Sequence, residues 1–348
     1  MPDMPVFRED DFQLRGNTHD DFVDETYASQ PYWKDIFARF IKNKGALIGL
    51  CCILLVALMA IIGPGLSGRT YDAQIIKHQN LAPRVQGLEK LGIFNGSESL
   101  RTSTGVKEIN KYISDTKTTG LENTYYWFGT DTLGRDIFTR TWEGTRISLY
   151  IALVAVLVDM LFGLSYGLIS GYFGGKVDTA MQRFVEILSG IPNLVIVTLL
   201  ILVLRPGLAT ITFSLMITGW IGMSRIARAQ VLKLKEQEFV LASKTLGAKN
   251  FFIIFREILP NVFGQLIIMS MFSIPNAIFT EAFLAFVGLG VPQPLASLGS
   301  LISEAFKSFT THPYMIIFPV VVLGVIMLSF NLLADGLRDA FDPKMKEM

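Results

Sequence analysis

Six stretches of the chain are long and apolar enough to cross a bilayer as helices: roughly 46–65, 147–170, 185–204, 208–224, 263–288 and 314–335. A spanning helix needs about 20 residues. The first and fourth runs are near the lower limit and are expected to tilt little. None of the six alternates apolar and polar residues with period two, the pattern of a lipid-facing barrel strand. In hydrocarbon every backbone N–H and C=O must be satisfied within the protein, so each run is a predicted helix. The expected fold class is an all-α integral membrane protein with six transmembrane helices.

The polar stretches between these runs set the expected layout. Residues 1–45 form a tail and an interfacial helix, 46–65 the first span, and 66–146 a loop holding a small extracytoplasmic subdomain at about 66–128. Residues 147–335 form a five-helix core interrupted by the loop 225–262, and 336–348 a C-terminal tail. Within 31–42, Trp33, Ile36, Phe37, Phe40 and Ile41 fall on one helical face with Lys34 and Lys42 off it, as in a helix lying at a membrane surface. A plain extension of the first span is the alternative.

Charge fixes orientation. The loop 225–262 carries Arg225, Arg228, Lys233, Lys235, Lys244, Lys249 and Arg256, and the first span is preceded by Lys34, Arg39, Lys42 and Lys44. The segment between the third and fourth runs holds only Arg205, and that between the fifth and sixth only Lys307. Positive charge concentrates on the cytoplasmic side of short loops, which predicts cytoplasmic termini and a cytoplasmic 225–262 loop. The loop 66–146 is basic as well, but long loops are translocated largely regardless of charge. Residues 1–28 carry eight acidic side chains, among them Glu9, Asp10 and Asp11, against Arg8 and Arg15, and are expected to be a flexible tail. They hold no apolar signal-peptide core, so targeting is expected to come from the first span.

Composition agrees with a chain partly solvated by lipid. Hydrophobic residues make up 51% and charged residues 18% of 348, where globular proteins hold about 25% charged residues. Mean hydropathy is +0.43. With 31 Lys and Arg against 30 Asp and Glu, there is no overall basic footprint for nucleic acid.

Catalytic patterns are missing. The nearest string to a phosphate-binding loop, Ser170 to Val177, lacks its first glycine and its final hydroxyl and follows a membrane run, not a strand. His19, His78 and His312 are scattered, and the adjacent Cys51 and Cys52 have no metal-ligand spacing. The chain is therefore not expected to be an enzyme or to bind a metal or cofactor of its own.

The loop segment from Glu238 through Phe239, Val240, Leu241, Ala242, Ser243, Lys244, Thr245, Leu246 and Gly247 to Ala248 presents small residues on a short helix that another protein can approach closely. Its residues are equally compatible with an ordinary basic loop whose alanines favour helix. Two acids lie inside apolar runs. Asp159 is near the middle of the second, where a charge costs roughly 2.5–3.5 kcal/mol on insertion scales. Glu281 lies in the fifth, six residues after Pro275. Each is expected either to line a pathway or gate, or to be a buried structural acid that joins this chain to a partner.

The 238–249 segment, closing at Ile258-Leu259-Pro260, resembles the "EAA" coupling motif in permease subunits of binding-protein-dependent ABC importers, with Gly247 in the position of the signature glycine. Three further strings resemble the peptide/nickel branch of that family, in its "C"-type subunit. They are Phe128-Gly-Thr-Asp-Thr-Leu-Gly-Arg-Asp136, Gly171-Tyr-Phe-Gly-Gly-Lys-Val-Asp178, and Thr280-Glu-Ala-Phe-Leu-Ala-Phe-Val-Gly-Leu-Gly290. Leu241 stands where the motif has its leading glutamate, and Ser243 where it has its second alanine. Glu238 offers a carboxylate one turn earlier.

The resemblance implies a type I importer-like fold. It also implies coupling to an ATPase through Glu238, Leu241, Ala242, Ser243, Gly247 and Ala248. The implied partners are a second homologous permease chain, two ATP-binding subunits that carry the ATP and magnesium, and an extracellular lipoprotein that delivers a peptide. Asp131, Arg135 and Asp136 then either contact that binding protein or form a salt-bridged collar. The same machinery carrying nickel or another small solute is one alternative, and a secondary transporter without ATPases is another. No internal repeat supports the latter.

Overall fold

The computed structural model describes residues 32–102, 105–114 and 121–341. The acidic stretch 1–28 and the final residues of the C-terminal tail lie outside the described residues. Ten helices are used below: α1 (Tyr32–Lys42), α2 (Lys44–Leu66), α3 (Ile137–Phe173), α4 (Gly175–Ser189), α5 (Asn193–Leu204), α6 (Leu208–Leu234), α7 (Glu238–Thr245), α8 (Asn250–Leu289), α9 (Leu298–Phe306) and α10 (Tyr314–Phe341). Two strands, β1 (Ser97–Thr102) and β2 (Gly105–Asn110), form an antiparallel hairpin with Ser97 opposite Asn110.

Helices α2, α3, α8 and α10 are long and apolar enough to cross a membrane. Helices α4 and α5 meet that test only together, as a pair bent by 76°. The bend falls where Pro192 cannot continue a helix begun before it and Gly190 weakens the preceding turn. The apolar run at 185–204 is therefore not one straight helix. Helix α6 has 27 residues but is not among the qualifying spans. Thr210, Thr212, Ser214, Thr218 and Arg225 dilute its apolar character.

Two boundaries differ from the hydrophobic pattern for local reasons. Helix α3 starts at Ile137 instead of 147, because the Asp136 carboxylate accepts hydrogen bonds from the Phe138 N–H at 3.3 Å and the Thr139 hydroxyl at 2.7 Å. Helix α6 runs on through Arg225 and Arg228 to Leu234, because residues 224–234 contain neither glycine nor proline.

Both described termini lie at one end of the bundle. Trp33 meets Phe341 edge to face at 6.2 Å, and the Asn43 amide donates to Asp339 at 3.0 Å. The start of α8 is at the same end, since Gly264 packs directly under the Phe341 ring. The apolar face of α1 divides its duties. Ile36 and Phe40 are buried against Ala46, Leu333 and Ala340, whereas Trp33, Phe37 and Ile41 remain exposed.

The opposite end carries the described residues of 67–102, 105–114 and 121–136, folded over a small core of Leu81, Tyr112, Leu121 and Tyr126. The β-hairpin lies here, an addition to the all-α expectation; its strands are too polar to register among the membrane runs. The subdomain is tied to the bundle by the Tyr314 hydroxyl, which donates to the Thr130 carbonyl at 2.9 Å.

Helices α3 and α6 run parallel and close. A Cβ added at Gly163 would lie 2.6 Å from the Trp220 carbonyl oxygen, one at Gly167 2.5 Å from that of Ser224, and one at Gly171 2.8 Å from the Val231 Cβ. The three glycines, four apart, form a seam that only hydrogen side chains permit.

Candidate functional site

The segment between α6 and α8 lies at the end of the bundle that holds the described termini. Helix α7 is fixed to the bundle by one side chain, Val240, which is buried among Leu168, Val231, Ile253, Ile254 and Ile258. Its other faces are open. Glu238, Leu241 and Ala242 are exposed and fall on one face at helical spacing, and Ser243 and Ala248 are half-buried beside them. Leu246 is 87% exposed, and Phe239, Leu241, Phe251 and Phe255 add further exposed apolar surface.

Gly247 ends α7 in a left-handed conformation, φ +83°. Its N–H bonds to the Lys244 carbonyl at 3.1 Å and the Ala248 N–H to the Ser243 carbonyl at 3.0 Å, the paired bonds of a Schellman cap. A side chain at 247 would meet no atom within 4 Å, so glycine serves the backbone turn and leaves the surface beyond it open.

This segment is connected to the glycine seam by polar links. The Arg228 guanidinium of α6 donates through Nε and Nη2, both at 2.6 Å, to the two oxygens of Asp178 on α4. Asp178 also accepts from the Ser170 hydroxyl of α3, and Lys235 Nζ donates to the Gly171 carbonyl at 3.1 Å. These bonds tie the end of α6 that leads into α7 to α3 and α4. The sequence pattern Gly163-x3-Gly167-x3-Gly171 carries the signal for this seam, which the reading of apolar runs missed.

Asp159 and Glu281 lie in different surroundings. Asp159 opens a wide π-type turn in α3, Asp159–Gly163, of a kind often found at functional sites. It borders a cavity of about 530 Å³ between α3, α5, α6 and α8. Glu281 is 1% exposed and does not line that cavity. The Ser148 hydroxyl donates to Glu281 Oε2 at 3.2 Å and accepts the Leu298 N–H, the first of α9, at 3.1 Å. Glu281 thus belongs to the seat of α9, which packs so tightly that a Cβ on Gly299 would lie 2.3 Å from the Ala282 Cα.

Asp131, Arg135 and Asp136 come together at the subdomain end, but turned inward. Arg135 and Asp136 are each 2% exposed. Asp131 accepts from the backbone N–H groups of Leu133 and Arg135 and from the Arg135 and Arg140 guanidiniums, and both arginines continue to Glu304. Buried charges need partners, and these find them within the chain. The geometry is that of an internal collar joining the 129–136 turn to α9; Arg135 and Asp136 offer no surface to a docking protein. Among the described residues, no group of three or more His, Cys, Asp or Glu side chains is arranged to hold a metal.

Comparison with known proteins places this architecture. Residues 163–347 match the family described as binding-protein-dependent transport system inner membrane component, and residues 31–83 match the N-terminal TM domain of oligopeptide transport permease C. The oligopeptide transport system permease protein OppC of Bacillus subtilis (strain 168) is 42% identical over 90% of both chains. The dipeptide transport system permease protein DppC of the same organism is 41% identical over 91% of this chain and 88% of that one. DppC of Lactococcus lactis subsp. cremoris (strain MG1363) is 39% identical over 97% and 98%. The chain is a multi-pass integral membrane protein and belongs to the family of inner membrane permease components of binding-protein-dependent transport systems.

Proposed function

We propose that this chain is one of two permease subunits of an ATP-driven peptide importer in a bacterial cell membrane, with both termini and α7 in the cytoplasm. The observation that carries this reading is α7 itself: a short helix with an exposed face of Glu238, Leu241 and Ala242, capped by Gly247 and packed through Val240 on the end of the bundle where Arg228 and Lys235 tie α6 to Asp178 and Gly171. Such a helix offers a partner protein an exposed contact that is anchored in the bundle by Val240. The basic residues around it satisfy the positive-inside rule.

The partner is an ATP-hydrolysing subunit that closes on ATP and magnesium; this chain supplies neither. Closure moves α7, and α6 carries the movement into the membrane region. The route for cargo runs between this chain and a second, homologous permease, and an extracellular binding lipoprotein delivers cargo to the subdomain end. Six traversals follow if the bent α4–α5 pair and the polar α6 each cross, which also sets the end of α6 beside the end of α3. Peptide cargo is supported by the relatives, named for oligopeptide and dipeptide transport.

Purification of the chain from its native membrane in gentle detergent, with identification of every retained protein, tests the assembly. A second permease and nucleotide-binding subunits are expected. Recovery of the chain alone, under conditions in which other membrane complexes survive, contradicts the proposal.

A further inference from the structure

The cavity beside Asp159 has a chemistry that the coupling scheme does not use. Its polar lining comes from four elements: Asp159 of α3, Asn193 of α5, Thr218 of α6, and Ser273, Asn276 and Thr280 of α8. Its volume, about 530 Å³, falls in the range of sites that enclose small organic ligands. No lysine, arginine or histidine lines it. Asp159 is 7% exposed, has no ion pair among the described residues, and its Oδ1 is buried without a hydrogen-bond partner.

A buried carboxylate oxygen left unpaired is costly, and the surroundings keep it so. Gly219, on the facing helix α6, packs its backbone close to Oδ1, where an added Cβ would lie 2.9 Å away, so a larger residue there would crowd the carboxylate. The hydroxyls and amides around it add acceptors for further N–H groups. Such a pocket, with one anion and several neutral acceptors, suits a primary ammonium, which has three donors and no acceptor.

We propose that Asp159 forms a subsite for the N-terminal ammonium of a peptide in transit. This rests on the peptide reading above and adds to it the end of the cargo that this chain recognises. The ammonium donates to the Asp159 carboxylate and to neighbouring oxygens of the cavity, and the peptide chain extends toward the second permease. Recognition at a terminus common to all free peptides leaves side-chain choice to the binding protein.

The test uses the complete complex in proteoliposomes, with binding protein saturated by one of two radiolabelled peptides of identical sequence, one with a free N-terminus and one acetylated. The wild type is expected to take up the free-amine peptide about tenfold faster, the contribution of one charge-assisted hydrogen bond in a desolvated site. Asp159→Asn is expected to slow the free-amine peptide to the rate of the acetylated one, and Asp159→Glu to restore part of the preference. Gly219→Ala, which retains the charge but crowds it, is expected to lower the ratio as well. Equal slowing of both peptides by Asp159→Asn, an unchanged ratio in Gly219→Ala, or loss of assembly in both Asp159 variants overturns the inference and assigns the carboxylate to structure. A wild-type complex that takes up neither peptide overturns the peptide assignment itself, and the subsite with it.

Discussion

Arg228 and Asp178 face each other across α6 and α4 with both guanidinium–carboxylate bonds at 2.6 Å. The pair ties the helix that leads into α7 to the first half of the bent α4–α5 pair. A planar fork is needed to satisfy both oxygens at once. Arg228→Lys keeps the charge and loses the fork. It is expected to cost about 1–2 kcal/mol and to lower uptake relative to ATP hydrolysis. Thermal denaturation in detergent, together with the ratio of uptake to hydrolysis in proteoliposomes, checks both effects.

Gly247 combines a backbone requirement with an open surface. Gly247→Ala is expected to cost roughly 1 kcal/mol through the left-handed turn and to reduce uptake in part. Gly247→Glu carries the same backbone penalty and also sets a charged side chain on the face proposed to receive the partner. It is expected to leave the protein in the membrane at near-normal abundance and to abolish uptake. Immunoblotting of membranes beside a peptide uptake assay separates the two effects, and normal uptake by the glutamate variant refutes a coupling role for this turn.

The seam between α3 and α6 has no room for side chains. A methyl group at Gly167 would already approach the Ser224 oxygen to 2.5 Å and the Ala227 Cβ to 2.6 Å. Gly167→Leu is expected to cost about 3 kcal/mol by overpacking and to yield aggregated protein in size-exclusion chromatography. Gly324→Leu, at a helical position of α10 where an added Cβ would meet nothing within 4 Å, serves as the comparison.

In the subdomain, His78 Nδ1 lies 2.6 Å from the Tyr126 hydroxyl. Burial, and then the nearby Arg69 charge, hold its pKa below the ordinary 6.5. The unfolded subdomain therefore binds more protons than the folded one in this range. The contribution of His78 is complete above 6.5 and is lost as pH falls through the depressed value. Hydrogen-exchange protection factors of residues 76–82 and 121–130, taken relative to intrinsic rates at each pH, are expected to fall on acidification below pH 6, and His78→Gln to flatten that dependence.

The positions of the apolar runs were legible because lipid imposes a length and a composition on each of them. What the runs did not reveal arises where local chemistry overrides hydropathy. Asp136 starts α3 early by capping it, and the uninterrupted helix formers after Ser224 place Arg225 and Arg228 on α6 instead of in a loop. Pro192 breaks the third run, and α6, dilute in apolar residues, passes for a short span. The small residues around Gly247 were readable as a motif, but the Schellman bonds that explain the glycine depend on the backbone. The charged string 131–136 allowed either a salt-bridged collar or a docking contact, and spacing alone did not reveal that Arg135 points inward to Glu304 and Asp136 to the α3 cap. Glu281 and Asp159 look alike in sequence. Only packing separates the acid that seats α9 from the one that faces a cavity.

Leu246, 87% exposed at the end of α7, is the position from which to test α7 as the proposed contact for an ATPase. A single cysteine at 246, in a chain with Cys51 and Cys52 replaced, should crosslink in native membranes to a nucleotide-binding subunit, with a yield that changes when ATP is added. A cysteine that reaches no nucleotide-binding subunit, or that is labelled from outside intact cells by a membrane-impermeant reagent, contradicts the coupling role and the orientation together.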